Sequence, residues 1–205
     1  MNVALSYNVK PEVDSISEST PLSLHLKNTN HKDIFAEWDT IDTINAVKNA
    51  LEMYHNVTMI EVNEDAFEKF RNVRPDIVFN IAEGFYGIGR EAQIPAMLDM
   101  LNIPYTGSDP LTLATCLNKA RTKEILTYYK IPNARFCVLE SIEDIQNFNL
   151  EFPVLIKPVG EGSSKGIYNK NFIGSIDELK LRLEEFFPEY NQPFKAEEFL
   201  SGREF

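Results

Sequence analysis

The chain has 205 residues, and its 20 Lys and Arg against 31 Asp and Glu give a formal net charge of −11. That length suits one large domain or two small ones with a core needing no disulfide or metal staple, and 43% hydrophobic residues exclude a disordered chain. The acid excess argues against nucleic-acid binding, which needs a basic stripe, and no apolar run approaches a membrane span or follows Met1 as a signal peptide. Cys116 and Cys137 lack the spacing of a disulfide framework or zinc knuckle, which favours a reducing cytoplasm. Residues 1–103 carry −8 and residues 104–205 only −3, so the second half presents the less hostile field to an anion.

Asn2 to Tyr7 is a short apolar run and reads as a buried first strand. Residues 8–33 are polar, contain Pro11 and Pro21, show no period, and read as a long mobile loop. Ile41, Ile44, Val47 and Leu51 recur at helical steps, Val57 to Val62 reads as a strand, and Asp65 to Arg71 as a short helix. Asp76 to Ile81 is a strand after Pro75, followed by a Gly-rich loop from Gly84 to Gly89, a helix through Ala96 to Leu101, and a short strand at Ile103 to Gly107. This alternation predicts a mostly parallel sheet covered by helices. Beyond it, a helix starts at Asp109 or Pro110, and Asn118 can cap a second helix running through Tyr129. Strands are then expected at Ala134 to Leu139, Val154 to Pro158, Gly166 to Tyr168 and Phe194 to Leu200, with a helix near Ile176 to Phe186. The second half is therefore α+β, and a domain boundary falls near residues 107–113.

Three segments carry chemistry. In the first, an apolar strand delivers Lys157 and then Pro158-Val-Gly160-Glu161-Gly162-Ser163-Ser164-Lys165-Gly166. Glycines let successive backbone N–H groups converge on an anion, and lysine adds a mobile positive charge, so phosphate binding is favoured over a bare surface hairpin. The order of a Walker A loop is absent. In the second, Lys195-Ala-Glu197-Glu198-Phe199-Leu200-Ser-Gly-Arg203-Glu204-Phe205 places carboxylates around an apolar pair. Carboxylates accept from an exocyclic amine or ribose hydroxyls, although acidic residues at strand ends are more often solvated. In the third, Leu117-Asn118-Lys119-Ala-Arg-Thr-Lys123 puts Lys119 and Lys123 on one helix face, a pattern that by itself reads as surface charge.

Together with Asn102-Ile-Pro-Tyr-Thr-Gly-Ser108 and Phe152-Pro-Val-Leu-Ile-Lys-Pro158, these segments resemble the ATP-grasp superfamily, specifically the D-alanine–D-alanine ligase group, over residues 76–205. The resemblance implies a pre-ATP-grasp α/β domain at residues 1–110 with a parallel sheet, then the first α+β ATP-grasp subdomain at 111–205. It implies that Lys119 and Lys157 bind ATP phosphates, and that the loop Gly162, Ser163, Ser164, Lys165, Gly166 closes over the triphosphate, with Ser163 orienting substrate. It also implies that Glu197 accepts the adenine amine, that Phe199 and Leu200 read the adenine edge, and that Glu204 accepts the ribose hydroxyls.

The implied reaction is ATP-dependent carboxylate–amine ligation through an acyl phosphate, with ATP, Mg²⁺ and small amino-acid-like substrates. No nucleic-acid or membrane partner is expected, and a homodimer is. Where that group carries His-Gly, this chain has Ala82-Glu83-Gly84, and Glu83 suits an ammonium group rather than a substrate carboxylate. The glycine-rich serine–glutamate motif expected after the first strand is replaced by Asn8-Val9-Lys10-Pro11, and Arg90 and Glu91 open the following helix without an assigned role. The family's Mg²⁺ ligands lie beyond the equivalent of Phe205, so no metal ligand is nominated and the 205-residue chain is expected to be inactive alone. The alternatives are a non-catalytic nucleotide-binding or interaction module, and an ATP-grasp ligase for other amino acids or peptides.

Overall fold

The computed structural model describes residues 1–11, 35–84 and 86–203; most of the segment expected to be a long loop, and Glu204, lie outside them. The chain divides into two units, one containing Phe35–Thr115 together with the first strand, the other containing Cys116–Phe205.

In the first unit, strand β1 (Asn2–Tyr7) lies between β2 (Asn56–Glu61) and β3 (Ile77–Asn80), and both pairings are parallel. Parallel neighbours require crossovers, and the two helices α1 (Ile41–Glu52) and α2 (Ala66–Val73) supply them. Thr40 caps α1, its hydroxyl accepting from the Thr43 amide at 3.3 Å. Arg74 ends α2 with φ +47°. A short 3₁₀ turn, Arg90–Ala92, leads into α3 (Gln93–Leu101). The core joins Ala4, Ile60, Phe70, Val78, Ile94 and Leu98. The strand expected at Ile103 to Gly107 is reduced to one bridge, Val78 to Tyr105: the Val78 amide donates to Pro104 and its carbonyl accepts from Thr106, while Pro104 has no N–H and Gly107 turns away at φ +97°.

Helix α4 (Pro110–Leu117) is followed by α5 (Lys119–Tyr128), which Asn118 caps by accepting from the amides of Ala120 and Arg121. The second unit's sheet runs β4 (Phe136–Leu139), β7 (Phe194–Glu198), β5 (Val154–Pro158), β6 (Phe172–Ile173), all antiparallel. Helix α6 (Ile176–Tyr190) covers it through Leu179, Leu183 and Phe186, and Phe186 stacks on Phe194 at a ring-centroid distance of 5.5 Å.

Two strand expectations change here. Gly166 to Tyr168 is not a strand. Positive φ at Ser163, Ser164 and Gly166 curls the chain, and the fully buried Asn171 side chain donates to the Ile156 and Gly166 carbonyls, taking the place of ladder bonds. The edge strand is β6 instead. Strand β7 ends at Glu198, although the Phe199 amide still donates to the Pro153 carbonyl. Among the described residues, no helix is long and apolar enough to cross a membrane.

Candidate functional site

The sheet of the second unit builds a lysine cluster by register. Lys157 on β5 stands directly across from Lys195 on β7, and Glu197 lies two residues further along, hence on the same face as Lys195. Like charges facing each other across a ladder destabilise it unless something neutralises them. Glu197 does so: its Oε1 accepts from Lys157 at 2.8 Å, and its Oε2 from Lys195 at 2.6 Å and from Lys123 at 3.0 Å. Three ammonium groups meet one carboxylate, leaving a surplus of two positive charges. Glu197 is itself partly buried, which alone would raise its pKa, but the lysine hydrogen bonds outweigh that and hold the carboxyl down at about 2. Burial lowers the pKa of Lys195, and Glu197 opposes the shift.

Sequence reading alone took Lys123 and Glu197 for solvated charges. Instead each side chain is only 12% exposed. Lys123 also donates to the Ala134 carbonyl and lies 5.7 Å from the Phe136 ring centroid. The lysine that looked anomalous within an apolar strand, Lys157, is half-buried and has its partner in Glu197. Lys195, 4% exposed, received no role from the sequence; the available signal was the period of two that puts it on the face of Glu197.

The loop after β5 lies beside Lys119. The Lys119 ammonium donates to the Glu161 carbonyl, and the Lys119 amide donates to Val159. Glu161 and Lys165 form a buried ion pair at 2.8 Å. Gln192 spans the start of the loop, accepting from the Gly160 amide and donating to Glu161 Oε1. The Lys165 amide donates to Gly162, and the Ile167 amide to Ser164, folding the loop into two consecutive turns. Ser163 and Ser164 are exposed with φ +44° and +58°, strained values for non-glycine residues. At Gly166 (φ +71°) a Cβ would come within 2.5 Å of Pro158 Cγ, so only glycine fits. Phe199 and Leu200, 45% and 69% exposed, follow Glu198 as an apolar pair, and Phe199 meets Phe172 edge-on at 5.0 Å. Glu204, expected near this strand, lies outside the described residues.

The first unit places Glu83 just beyond the carboxyl end of β3, where parallel sheets hold ligands. Asn8, at the end of β1 and 3% exposed, fixes that loop: its Oδ1 accepts from the amides of Glu83 and Gly84, each at 3.0 Å, and its Nδ2 donates to Val62 beyond β2. Gly84 has φ +78°, and a Cβ there would meet the Arg90 carbonyl oxygen at 2.2 Å. Burial, then the nearby carboxylates Glu91 and Glu37, push the Glu83 carboxyl up to about 7 despite Arg90. Arg90 Nη2 donates to both oxygens of Glu37, each at 2.7 Å, in a buried ion pair. Asn8 and Glu37 had no role from sequence reading; they lie 75 and 53 residues from their partners. Among the described residues no group of three or more His, Cys, Asp or Glu is placed to hold a metal ion.

No protein-family model matches the chain. Among curated proteins it is similar to the D-alanine–D-alanine ligase of Rickettsia massiliae, 30% identical over 161 residues, covering 77% of the chain and 47% of that protein. It is also similar to the D-alanine–D-alanine ligase of Aquifex aeolicus, 32% identical over 167 residues, covering 80% of the chain and 55% of that protein. The chain spans about half the length of these relatives. Among solved structures it resembles D-alanine–D-alanine ligase from Bacillus anthracis complexed with ATP, with a TM-score of 0.62, 24% identity, and coverage of 98% of the chain and 60% of the other. D-alanyl-alanine synthetase A from Vibrio cholerae is similar at a TM-score of 0.64 and 18% identity, with coverage of 98% and 60%. Across the part of their length that it spans, the chain is similar to D-alanine–D-alanine ligases in sequence and shares their fold.

Proposed function

We propose that the chain supplies the nucleotide-holding elements of an ATP-dependent carboxylate–amine ligase. The observation that carries this reading is the lysine cluster of the second unit: Lys123, Lys157 and Lys195 on the single carboxylate of Glu197, on the face where β5 runs into the Gly-Ser loop. A site with surplus positive charge and mobile ammonium groups suits polyphosphate. In this reading residues 1–110 are the pre-ATP-grasp domain and residues 111–205 the first ATP-grasp subdomain. Lys157 and Lys119 turn to the phosphates. Gly162, Ser163, Ser164 and Gly166 form the closing loop, whose strained serines are released or exploited when it moves, and Ser163 orients substrate. Glu197 accepts the adenine amine. Because the Phe199 amide already donates to Pro153, Phe199 offers the adenine edge its carbonyl and ring, with Leu200 beside it. Glu204 takes the ribose hydroxyls.

The chemistry that needs these parts is activation of a carboxylate, whose own leaving group is poor. Phosphorylation by ATP gives an acyl phosphate, and attack by an amine then releases phosphate. Such transfer rests on positioning and charge neutralisation, and a loop that excludes water protects the intermediate. The Mg²⁺ that the resemblance implies has no ligand set among the described residues. Glu83, flanked by Glu91 and Glu37 and with Arg90 already paired, favours a substrate ammonium over a carboxylate at the first unit. This supports an amino acid or peptide substrate that need not be D-alanine. The protein acts in the cytoplasm, and pairing of two copies belongs to the same reading.

The test is phosphate release from ATP by the natural full-length protein, given amino acids and dipeptides singly and in pairs. Release that requires both a carboxylate and an amine partner is expected. ATP binding without release for any pair would assign the chain to the non-catalytic module class instead.

A further inference from the structure

The three ammonium groups on Glu197 are not equivalent. Lys157 is the most accessible, at 24% side-chain exposure against 12% for Lys123 and 5% for Lys195, and it alone holds Oε1. Lys123 has a second partner in the Ala134 carbonyl. Lys195 is buried, shares a strand face with Glu197 two residues away, and bonds Oε2 at 2.6 Å. A carboxylate has about four acceptor directions, and three are taken. If Lys157 turns toward a polyphosphate, Oε1 is freed while Oε2 stays anchored from the sheet and from α5.

Resting on the nucleotide reading above, we propose that Lys195 is a positioning residue: with Lys123 it holds Glu197 ionised and aimed, so that Lys157 can exchange the carboxylate for a triphosphate and leave Oε1 open to an amine on the nucleotide base. Without Lys195, departure of Lys157 would leave Glu197 on Lys123 alone, free to turn or to follow Lys157. The charged groups facing Glu197 are Lys123 from α5, Lys157 from β5 and Lys195 from β7, and among the described residues no other cation pairs with it.

The test compares ATP and inorganic tripolyphosphate binding by the parent, Lys195→Met, Glu197→Gln and the double variant, with circular dichroism confirming folding. Lys195→Met is expected to weaken ATP about tenfold, the scale of a hydrogen bond to a charged group, and to leave tripolyphosphate within about twofold. In the Glu197→Gln background it should add no further loss. Unchanged ATP affinity in Lys195→Met, or an equal loss for tripolyphosphate, would overturn the proposal, the latter making Lys195 a direct phosphate ligand. A parent that binds neither ligand defeats the nucleotide reading itself, and the proposal with it. Should the variant not fold, the parent's structure with a non-hydrolysable ATP analogue decides: Lys157 turned away with Lys195 still on Glu197 supports the exchange, and the reverse arrangement refutes it.

Discussion

Single residues set the electrostatics of both units. Glu83 is held in place by Asn8 and kept short of full ionisation by burial and by Glu91 and Glu37. Its folded pKa, about 7, lies above the ordinary carboxylate value. A carboxyl shifted upward carries no penalty while it is protonated in both states, and it costs stability as pH rises through the carboxylate range to above 7. Glu83→Gln should therefore match the parent near pH 4 and exceed it at pH 8 by roughly 1–2 kcal/mol, the size fitting a partly solvated group. Urea unfolding at the two pH values measures this; an equal gain at both would mean that packing, not ionisation, is responsible. The same residue shows how far sequence reading reached. An acid replacing histidine was visible at Glu83, but the cage that shifts it was not. Glu37 is 53 residues from Arg90, and Asn8 is 75 from Glu83, so only the folded chain brings them together.

At the level of elements, periodicity was a good guide where one face is buried. The steps of Ile41, Ile44 and Val47, the Asn118 cap and the apolar run ending at Lys157 all matched the elements found. It failed where side chains replace ladder bonds. The segment from Gly166 to Tyr168 has strand-like residues, but Asn171 occupies the backbone groups that a strand would use. Register was also beyond the sequence: pairing Lys157 with Lys195 depends on how β5 and β7 align, and that alignment creates the lysine cluster. The turn ending the loop is equally specific. Gly166→Ala places a Cβ 2.5 Å from Pro158 Cγ at a positive φ, so it should cost roughly 2 kcal/mol, more than an ordinary glycine-to-alanine change, and displace the loop from Pro158. A thermal melt within a degree of the parent would show that the turn accommodates the methyl group.

For the molecule as a whole, the family resemblance was legible in residues 76–205, from glycines, lysines and acids at fixed offsets, and the α/β class with its two contrasting halves from the order of strands and helices along the chain. The net charge of −11 was a weaker guide. It describes a surface, whereas the proposed binding rests on a local surplus of positive charge around Glu197 within an acidic chain. Lys157 is the most accessible member of that cluster. The most direct test is a calorimetric titration of ATP into the protein and into Lys157→Ala. Saturable binding by the parent is expected, with a loss of roughly tenfold to a hundredfold in the variant, the range for one hydrogen bond to a charged group. Equal affinity of the two proteins would contradict it.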